Sequence, residues 1–321
     1  MKILTINSGS TSIKFKLFSM PDEKVIASGK IEEIGGKSSV LNYQTNGYEE
    51  KDKKCKVPDH MTGLNIIIEK LSNPETGVIE DRKEIYAIGH RVVNIGDKAS
   101  IAMIIDDKVM GYIKDCLDLA PLHNPPNLIG IEVCRRIFGE STPNIAVFDN
   151  TFHKDMPEKA YLYGIPYDLY EKYKIRKYGF HGIAYTYMVE RVAKLLKKDL
   201  KTLKIIALML GGGSSITAVK YGKTIDTSMG FTPAEGLFMS TRSGDLDPSV
   251  ITYIMKREDM DIEGIDDMIN KKSGLLGLSK KFKDFKDKFD ALSEIEKKTF
   301  SVLYYFTSIK KLRKKCLAIC H

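Results

Sequence analysis

Apolar and polar positions along the first residues point to paired strands. Residues 3–6 are apolar, residues 7–12 read Asn-Ser-Gly-Ser-Thr-Ser, and then Ile13, Phe15 and Leu17 alternate with Lys14 and Lys16. That period of two predicts a β-hairpin with one face buried. Residues 25–31 predict a third strand, and residues 85–88 a buried strand running into Gly89-His90-Arg91. Residues 126–138 predict a helix, with Pro near its start and Gly139 just past its end. Residues 144–148 predict another strand, with Asp149 at its C-terminal end.

A second unit is expected from about residue 151, giving domains 1–150 and 151–321. Tyr185, Met188, Val189, Val192, Leu195 and Leu196 share one face of a predicted helix. Strands are predicted at 205–210 and 216–220, joined by Gly211-Gly212-Gly213-Ser214-Ser215. The turn text Gly213-Ser214-Ser215-Ile216 echoes Gly9-Ser10-Thr11-Ser12-Ile13 near the N-terminus. Two strand–turn–strand units of this kind predict a duplicated α/β domain, although two unrelated hairpins could share such turns.

Composition narrows the class. With 43% hydrophobic and 29% charged residues in 321, the chain is globular and long enough for about two domains. The net charge of +8 is unevenly placed: residues 271–321 carry 14 Lys+Arg and 5 Asp+Glu, a net +9, and the first 270 carry 36 and 37, a net −1. A basic tail with Lys310 to Lys315 raises nucleic acid or a membrane surface as partner. Phe300, Leu303, Phe306 and Ile309 at helical spacing favour instead a solvated face on a packed helix, so neither partner is expected. No run approaches the roughly 18 apolar residues of a spanning helix, and no signal peptide is evident. Five irregularly spaced cysteines argue for a reducing, cytoplasmic setting. Cys316, Cys320 and His321 fall short of the four ligands of a structural zinc site.

Several short stretches could carry chemistry. Each Gly/Ser turn gathers backbone N–H groups and hydroxyls that suit a phosphate, and each could equally be a plain hairpin turn. Neither is a Walker A loop, since neither has Gly-Lys-Ser/Thr or leads into a helix. Arg91 and Arg242 sit beside small residues, where a planar guanidinium could clamp a carboxylate or phosphate or make an ordinary ion pair. His123 and His181 lie next to Pro and Gly in predicted loops, a position open to structural and functional roles alike. Asp149, at a strand end, could hold Mg²⁺, orient a nucleophile, or cap a turn.

Taken together and in order, these stretches resemble the acetokinase family, the acetate kinases of the actin/sugar-kinase/Hsp70 superfamily. The most specific text is I-N-S-G-S-T-S-I-K-F, G-H-R-V-V, L-A-P-L-H-N-P-P-N, V-F-D-N-T-F-H, I-P-Y-D-L-Y, R-K-Y-G-F-H-G, G-S-S-I-T-A-V, S-M-G-F-T-P-A-E-G-L, T-R-S-G-D-L-D-P and N-K-K-S-G-L-L-G-L-S. The resemblance implies duplicated actin-like (ribonuclease H-like) α/β domains. It implies reversible transfer of the γ-phosphoryl of ATP to acetate, giving acetyl phosphate and ADP, in acetate and acetyl-CoA metabolism. Propionate or butyrate kinase is the close alternative.

Residue roles follow from the same resemblance. Asn7 would bind Mg²⁺. Lys14, Ser10 and Ser12 would face nucleotide phosphates, as would Met209, Leu210, Gly211, Gly212 and Gly213. Asp284, Phe285 and Lys286 would approach the adenosine. Arg91 would hold acetate or acetyl phosphate, with Val93, Leu122 and Pro233 around the methyl group. Asp149, His181 and Arg242 would be catalytic. The family also implies a homodimer.

The chain departs from family text at four places: Tyr185 stands for His, Met209 and Gly212 for the His and Asn of H-L-G-N-G, Ser240 for Gly, and Lys286 for Arg. Past about residue 279 the resemblance thins, and past Ser308 none is expected. The family's G-I-G-E-N adenosine loop, its N-E-E segment with a metal-binding Glu, and its closing helix are not found. The expectation is therefore an incomplete second domain in a frame-disrupted or prematurely terminated kinase, with a weakened or inactive remnant as the alternative.

Overall fold

The computed structural model describes residues 1–98 and 101–282. It forms two compact units, Met1–Thr151 and a second beginning at Phe152.

The first unit is built on an eight-stranded sheet. Strands β1 (Lys2–Ser8), β2 (Ser12–Ser19), β3 (Lys24–Glu32), β4 (Ser39–Thr45) and β5 (Glu49–Cys55) form an antiparallel meander. After helix α1 (His60–Leu71), β6 (Ile85–Val92) pairs parallel with β1. Strand β7 (Ala102–Ile104), α2 (Asp107–Asp115), α3 (Asn124–Phe138) and β8 (Asn144–Phe148) follow, and the sheet order is β5-β4-β3-β2-β1-β6-β8-β7. The strand predicted at 85–88 extends through Gly89-His90-Arg91 to Val92, because pairing with β1 and β8 continues past Ile88. The predicted helix at 126–138 starts two residues earlier, at Asn124, and ends at Gly139, whose φ of 77° suits glycine.

Alternation in β2 decides which face is buried. Ile13 and Leu17 are fully enclosed and Lys14 and Lys16 exposed. The core joins these to Leu4, Ile6, Ile31 and Leu41 from the sheet, Leu64, Ile67 and Leu71 from α1, and Val133 and Cys134 from α3. Each such aliphatic side chain contributes about 1.5–3 kcal/mol. The β5 edge reads Glu-Glu-Lys-Asp-Lys-Lys-Cys, a charged strand that discourages further pairing.

The second unit begins with short helices α4 (Glu158–Tyr161) and α5 (Tyr167–Tyr173), then α6 (Gly182–Leu196). An antiparallel sheet of β9 (Lys204–Leu210), β10 (Ser214–Lys220) and β11 (Lys223–Thr227) follows, then α7 (Pro248–Glu258), α8 (Ile262–Lys271) and α9 (Gly274–Ser279). The face predicted for α6 is partly corrected. Tyr185, Val189 and Ala193 are buried at four-residue steps, whereas Leu195 and Leu196 are 68% and 55% exposed. Both lie in the last turn of α6, just before the left-handed C-cap Lys197.

Candidate active site

In the first unit, three of the expected residues meet at the C-terminal ends of the parallel strands β1, β6 and β8, where open α/β sheets place their ligands. Arg91 Nε donates to Asp149 Oδ2 at 2.9 Å, and Nη2 donates to the same oxygen. Arg91 Nη1 donates to Asn7 Oδ1 at 3.3 Å. Asp149 is almost buried (3% exposed) and its amide is held by Val92 O at 3.0 Å, so the carboxylate is fixed by the end of β6. Lys14 lies directly across from Asn7 in the β1–β2 register and is exposed. The turn between them closes with Gly9 N donating to Ser12 O at 2.7 Å, and leaves Ser10 exposed.

The groups that hold this arrangement were missed in the sequence. His60 Nε2 donates to Gly9 O at 2.7 Å, and Asn127 Nδ2 to Ser8 O at 2.6 Å. Asn127 Oδ1 accepts from Val93 N, and Asn124 exchanges hydrogen bonds with the Asn94 backbone. The L-H-N-P-P-N text therefore works through its two asparagines, which grip the backbone around buried Val93. Leu122, just before the helix, is 37% exposed. The visible signal was two amides spaced three apart across a Pro-Pro helix start, which puts both on one face of α3.

His90, one residue from Arg91, is buried and donates through Nε2 to Asn144 Oδ1 at 2.8 Å. Burial pulls its pKa down to about 4. Because the folded value lies below the unfolded value of about 6.5, the neutral ring's contribution is complete above pH 6.5 and is lost as pH falls toward 4, up to about 3 kcal/mol. Urea unfolding at pH 7 and pH 4.5 checks this. The wild type is expected to lose about 2–3 kcal/mol more than His90→Gln, and equal losses would show that His90 does not titrate in this way.

In the second unit, His181 precedes α6 with φ 62° and ψ 20°, a left-handed conformation uncommon outside glycine. Gly179, with φ 75°, lies so close to His153 that a Cβ there would come within 2.7 Å of its ring. His153 Nε2 donates to Phe180 O at 3.0 Å, which helps pin the Gly179-Phe180-His181 segment. The side chain of His181 is oriented by Ser215 of β10, with Nδ1 and Oγ 2.8 Å apart. A Cβ at Gly213 would lie 3.3 Å from both His181 Nε2 and Arg242 Nη1, so these two groups converge on that glycine. Arg242 Nη1 also donates to Pro233 O at 3.4 Å. The loop itself is anchored by Ser240 N donating to Gly212 O at 3.1 Å, while Met209 and Leu210 are 36% and 57% exposed.

Two further sets of contacts, unread in the sequence, brace this half. Glu235 accepts from Tyr163 Oη and from Lys177 Nζ, and Tyr163 Oη accepts from Phe231 N at 2.7 Å. They fix the Phe231–Glu235 stretch that carries Pro233. Residues Met239, Ser240 and Thr241 accept backbone hydrogen bonds from Leu275, Leu276 and Ser273, so the K-S-G-L-L text supports the strand of chain leading to Arg242. The expected adenosine residues Asp284, Phe285 and Lys286, and the basic tail with Cys316, Cys320 and His321, lie outside the described residues.

Comparison with known proteins decides what this geometry belongs to. The Acetokinase family pattern matches residues 2–319. The chain belongs to the acetokinase family. An acetate kinase of Desulfitobacterium hafniense is 49% identical over 287 residues, covering 89% of this chain and 72% of the relative. The crystal structure of Porphyromonas gingivalis acetate kinase superposes with a TM-score of 0.92 at 37% identity, over 99% of this chain and 80% of the other. A propionate kinase from Francisella tularensis superposes at 0.87 with 34% identity, over 98% and 80%. The α/β fold is thus that of the acetokinases, the duplicated actin-like architecture, and the family's activity is phosphotransfer to a carboxyl group. One expectation is corrected. The acetokinase match runs to residue 319, past Ser308, so the basic tail lies within the family pattern. Among the described residues no helix is long and apolar enough to cross a membrane.

Proposed function

We propose that this chain transfers the γ-phosphoryl group of ATP to acetate, reversibly, with Arg91 and Asp149 handling the carboxylate and with His181 and Arg242 stabilising the transferring phosphoryl. The observation that carries the reading is the convergence of His181 Nε2 and Arg242 Nη1 on Gly213. A loose phosphoryl transition state spreads negative charge over its equatorial oxygens, so catalysis is mainly positioning plus donors and cations. A planar guanidinium and an imidazole aimed at a side-chain-free loop supply those groups. In the first unit, the Arg91 fork suits a carboxylate or acyl phosphate, and buried Asp149 keeps it in place. Within the first unit, Val93 and Leu122 are proposed for the acetate methyl and Lys14 with the Ser10 and Ser12 turn for nucleotide phosphates; within the second, Pro233 is proposed for the methyl and the Gly211–Gly213 backbone for the phosphates.

A divalent cation, Mg²⁺, belongs with this reading, and the residues fit it. The amide oxygen of Asn7 and the carboxylate of Asp149 are hard oxygen donors, both already gathered around one cation, Arg91. When bound, Mg²⁺ would neutralise charge on the nucleotide phosphates. The thiols of Cys55, Cys116 and Cys134 are unpaired, in keeping with a reducing cytoplasm.

The test is acetyl phosphate formation by the purified full chain with ATP and Mg²⁺, comparing acetate with propionate and butyrate. Turnover with kcat/KM highest for acetate supports the reading. One methylene is worth about 1–3 kcal/mol, or roughly 10- to 200-fold. A clear preference for propionate would reassign the acceptor, and no turnover with any of the three would remove the reading.

A further inference from the structure

Beyond the groups assigned to catalysis, the second unit contains a chain of three hydroxyl and imidazole groups that ends on His181. Tyr185 Oη lies 2.6 Å from Ser215 Oγ, and Ser215 Oγ lies 2.8 Å from His181 Nδ1. Tyr185 is completely buried. Its ring is stacked on Phe152, with centroids 6.2 Å apart, and meets the edge of His153 at 5.8 Å. Thr217 and the Met209 backbone also face the phenol. One buried hydroxyl therefore ties the His181 side chain to the strand that carries the Met209–Gly213 segment. Tyr185 and Met209 are also two of the four places where this chain departs from family text.

We propose that Tyr185 is a positioning residue that sets the tautomer of His181 through Ser215, holding the imidazole neutral with its hydrogen on Nε2. A serine hydroxyl has one hydrogen to donate and two lone pairs to accept with. Between a phenol and an aliphatic alcohol the phenol is the stronger acid, so the proposal assigns Tyr185 as donor in the 2.6 Å pair. Burial pushes the Tyr185 pKa up, so the phenol keeps its hydrogen at neutral pH. In the proposed arrangement Ser215 accepts from Tyr185 and gives its own hydrogen to the lone pair of His181 Nδ1, so the ring hydrogen sits on Nε2. Nε2 is the atom that faces Gly213 together with Arg242 Nη1. The ring is thereby a donor at the position where a donor is wanted, and it does not depend on being protonated at both nitrogens.

The proposal rests on the reading of His181 given above, and its test separates the two. The full chain, labelled with ¹⁵N at histidine, is measured by two-bond ¹H–¹⁵N correlation at neutral pH, and His181 is identified by the signals absent from His181→Asn. The expected result is an Nε2–H tautomer in the wild type and a mixture of both tautomers in Tyr185→Phe and in Ser215→Ala. In the same two variants kcat is expected to fall about 10- to 100-fold, with KM for ATP changed less than about twofold. An Nδ1–H tautomer or a doubly protonated ring in the wild type overturns the proposal. So does an unchanged tautomer in the variants. If Tyr185→Phe does not fold, judged by its melting curve, the wild-type spectrum and Ser215→Ala decide. The spectrum needs no turnover, so a chain with the expected tautomer and no acetyl phosphate formation would sink the proposed function and leave the relay in place.

Discussion

Replacing Arg242 by alanine is expected to lower kcat for acetyl phosphate formation by about 10³- to 10⁵-fold, the range seen when a transition-state arginine is removed from phosphoryl-transfer sites. The magnitude follows from where charge develops. Arg242 Nη1 and His181 Nε2 meet at Gly213, and the glycine leaves them a surface with no side chain in the way. A group that acts on the transferring phosphoryl strengthens its hold as the oxygens gain charge, so the loss falls on kcat more than on KM. Arg242→Lys keeps the charge and loses the planar fork, and an intermediate loss is expected. Steady-state kinetics with acetate and ATP varied separately, alongside melting curves, check this. A rise in KM for acetate with kcat unchanged would place Arg242 in ground-state binding instead.

Gly274→Ala is expected to destabilise the second unit by at least about 3 kcal/mol and to reduce kcat as well. Gly274 has φ 62°, which an L side chain adopts at a cost of about 1–2 kcal/mol. A Cβ there would also collide with the carbonyl oxygen of Met239 and come within 2.7 Å of that of Arg242. Both obstacles are backbone atoms, which cannot swing aside as a flexible side chain can. Relief requires moving the Met239–Arg242 segment away from α9, and with it the arginine. Thermal or urea unfolding measures the first effect, and kcat of the folded fraction measures the second. For the unfolding measurement alone, Gly211, whose nearest neighbour to an added Cβ is 3.7 Å away, serves as the contrasting site. A Gly274→Ala variant as stable as wild type would mean that α9 can shift without cost.

Much of this was legible in the chain of residues, for identifiable reasons. Period-two alternation in β2 and the short apolar runs at β1, β8 and β9 marked strands, because a half-buried sheet forces that pattern. The Pro-Pro start and Gly139 stop marked α3, because Pro costs nothing in a helix's first turn and glycine accepts the φ that ends it. Strands β4 and β5 carried no such mark. Ser-Val-Leu-Asn-Tyr-Gln-Thr and Glu-Glu-Lys-Asp-Lys-Lys-Cys are strands through pairing with neighbours, and β5 is polar because it is an edge. The motif text pointed to Arg91, Asp149, His181 and Arg242 individually, whereas their supports were silent. His60, Asn127, Glu235 and Ser273 act through hydrogen bonds to backbone many residues away, and no local spacing encodes such a partner.

The sequence by itself determined the family, the strand–turn–strand units and the residue types that phosphoryl transfer to a carboxylate needs, since each of these is written in local periodicity or contiguous motif. Tertiary structure alone decided which of those residues meet. Asn7, Arg91 and Asp149 lie far apart in sequence and meet only because β1, β6 and β8 run parallel and end side by side. His181 owes its orientation to Ser215 and, behind it, to Tyr185, because the hairpin of β9 and β10 lays its hydroxyl against α6. A position that reads as a loss in the motif, His to Tyr at 185, is in three dimensions a buried phenol one hydroxyl away from the His181 ring.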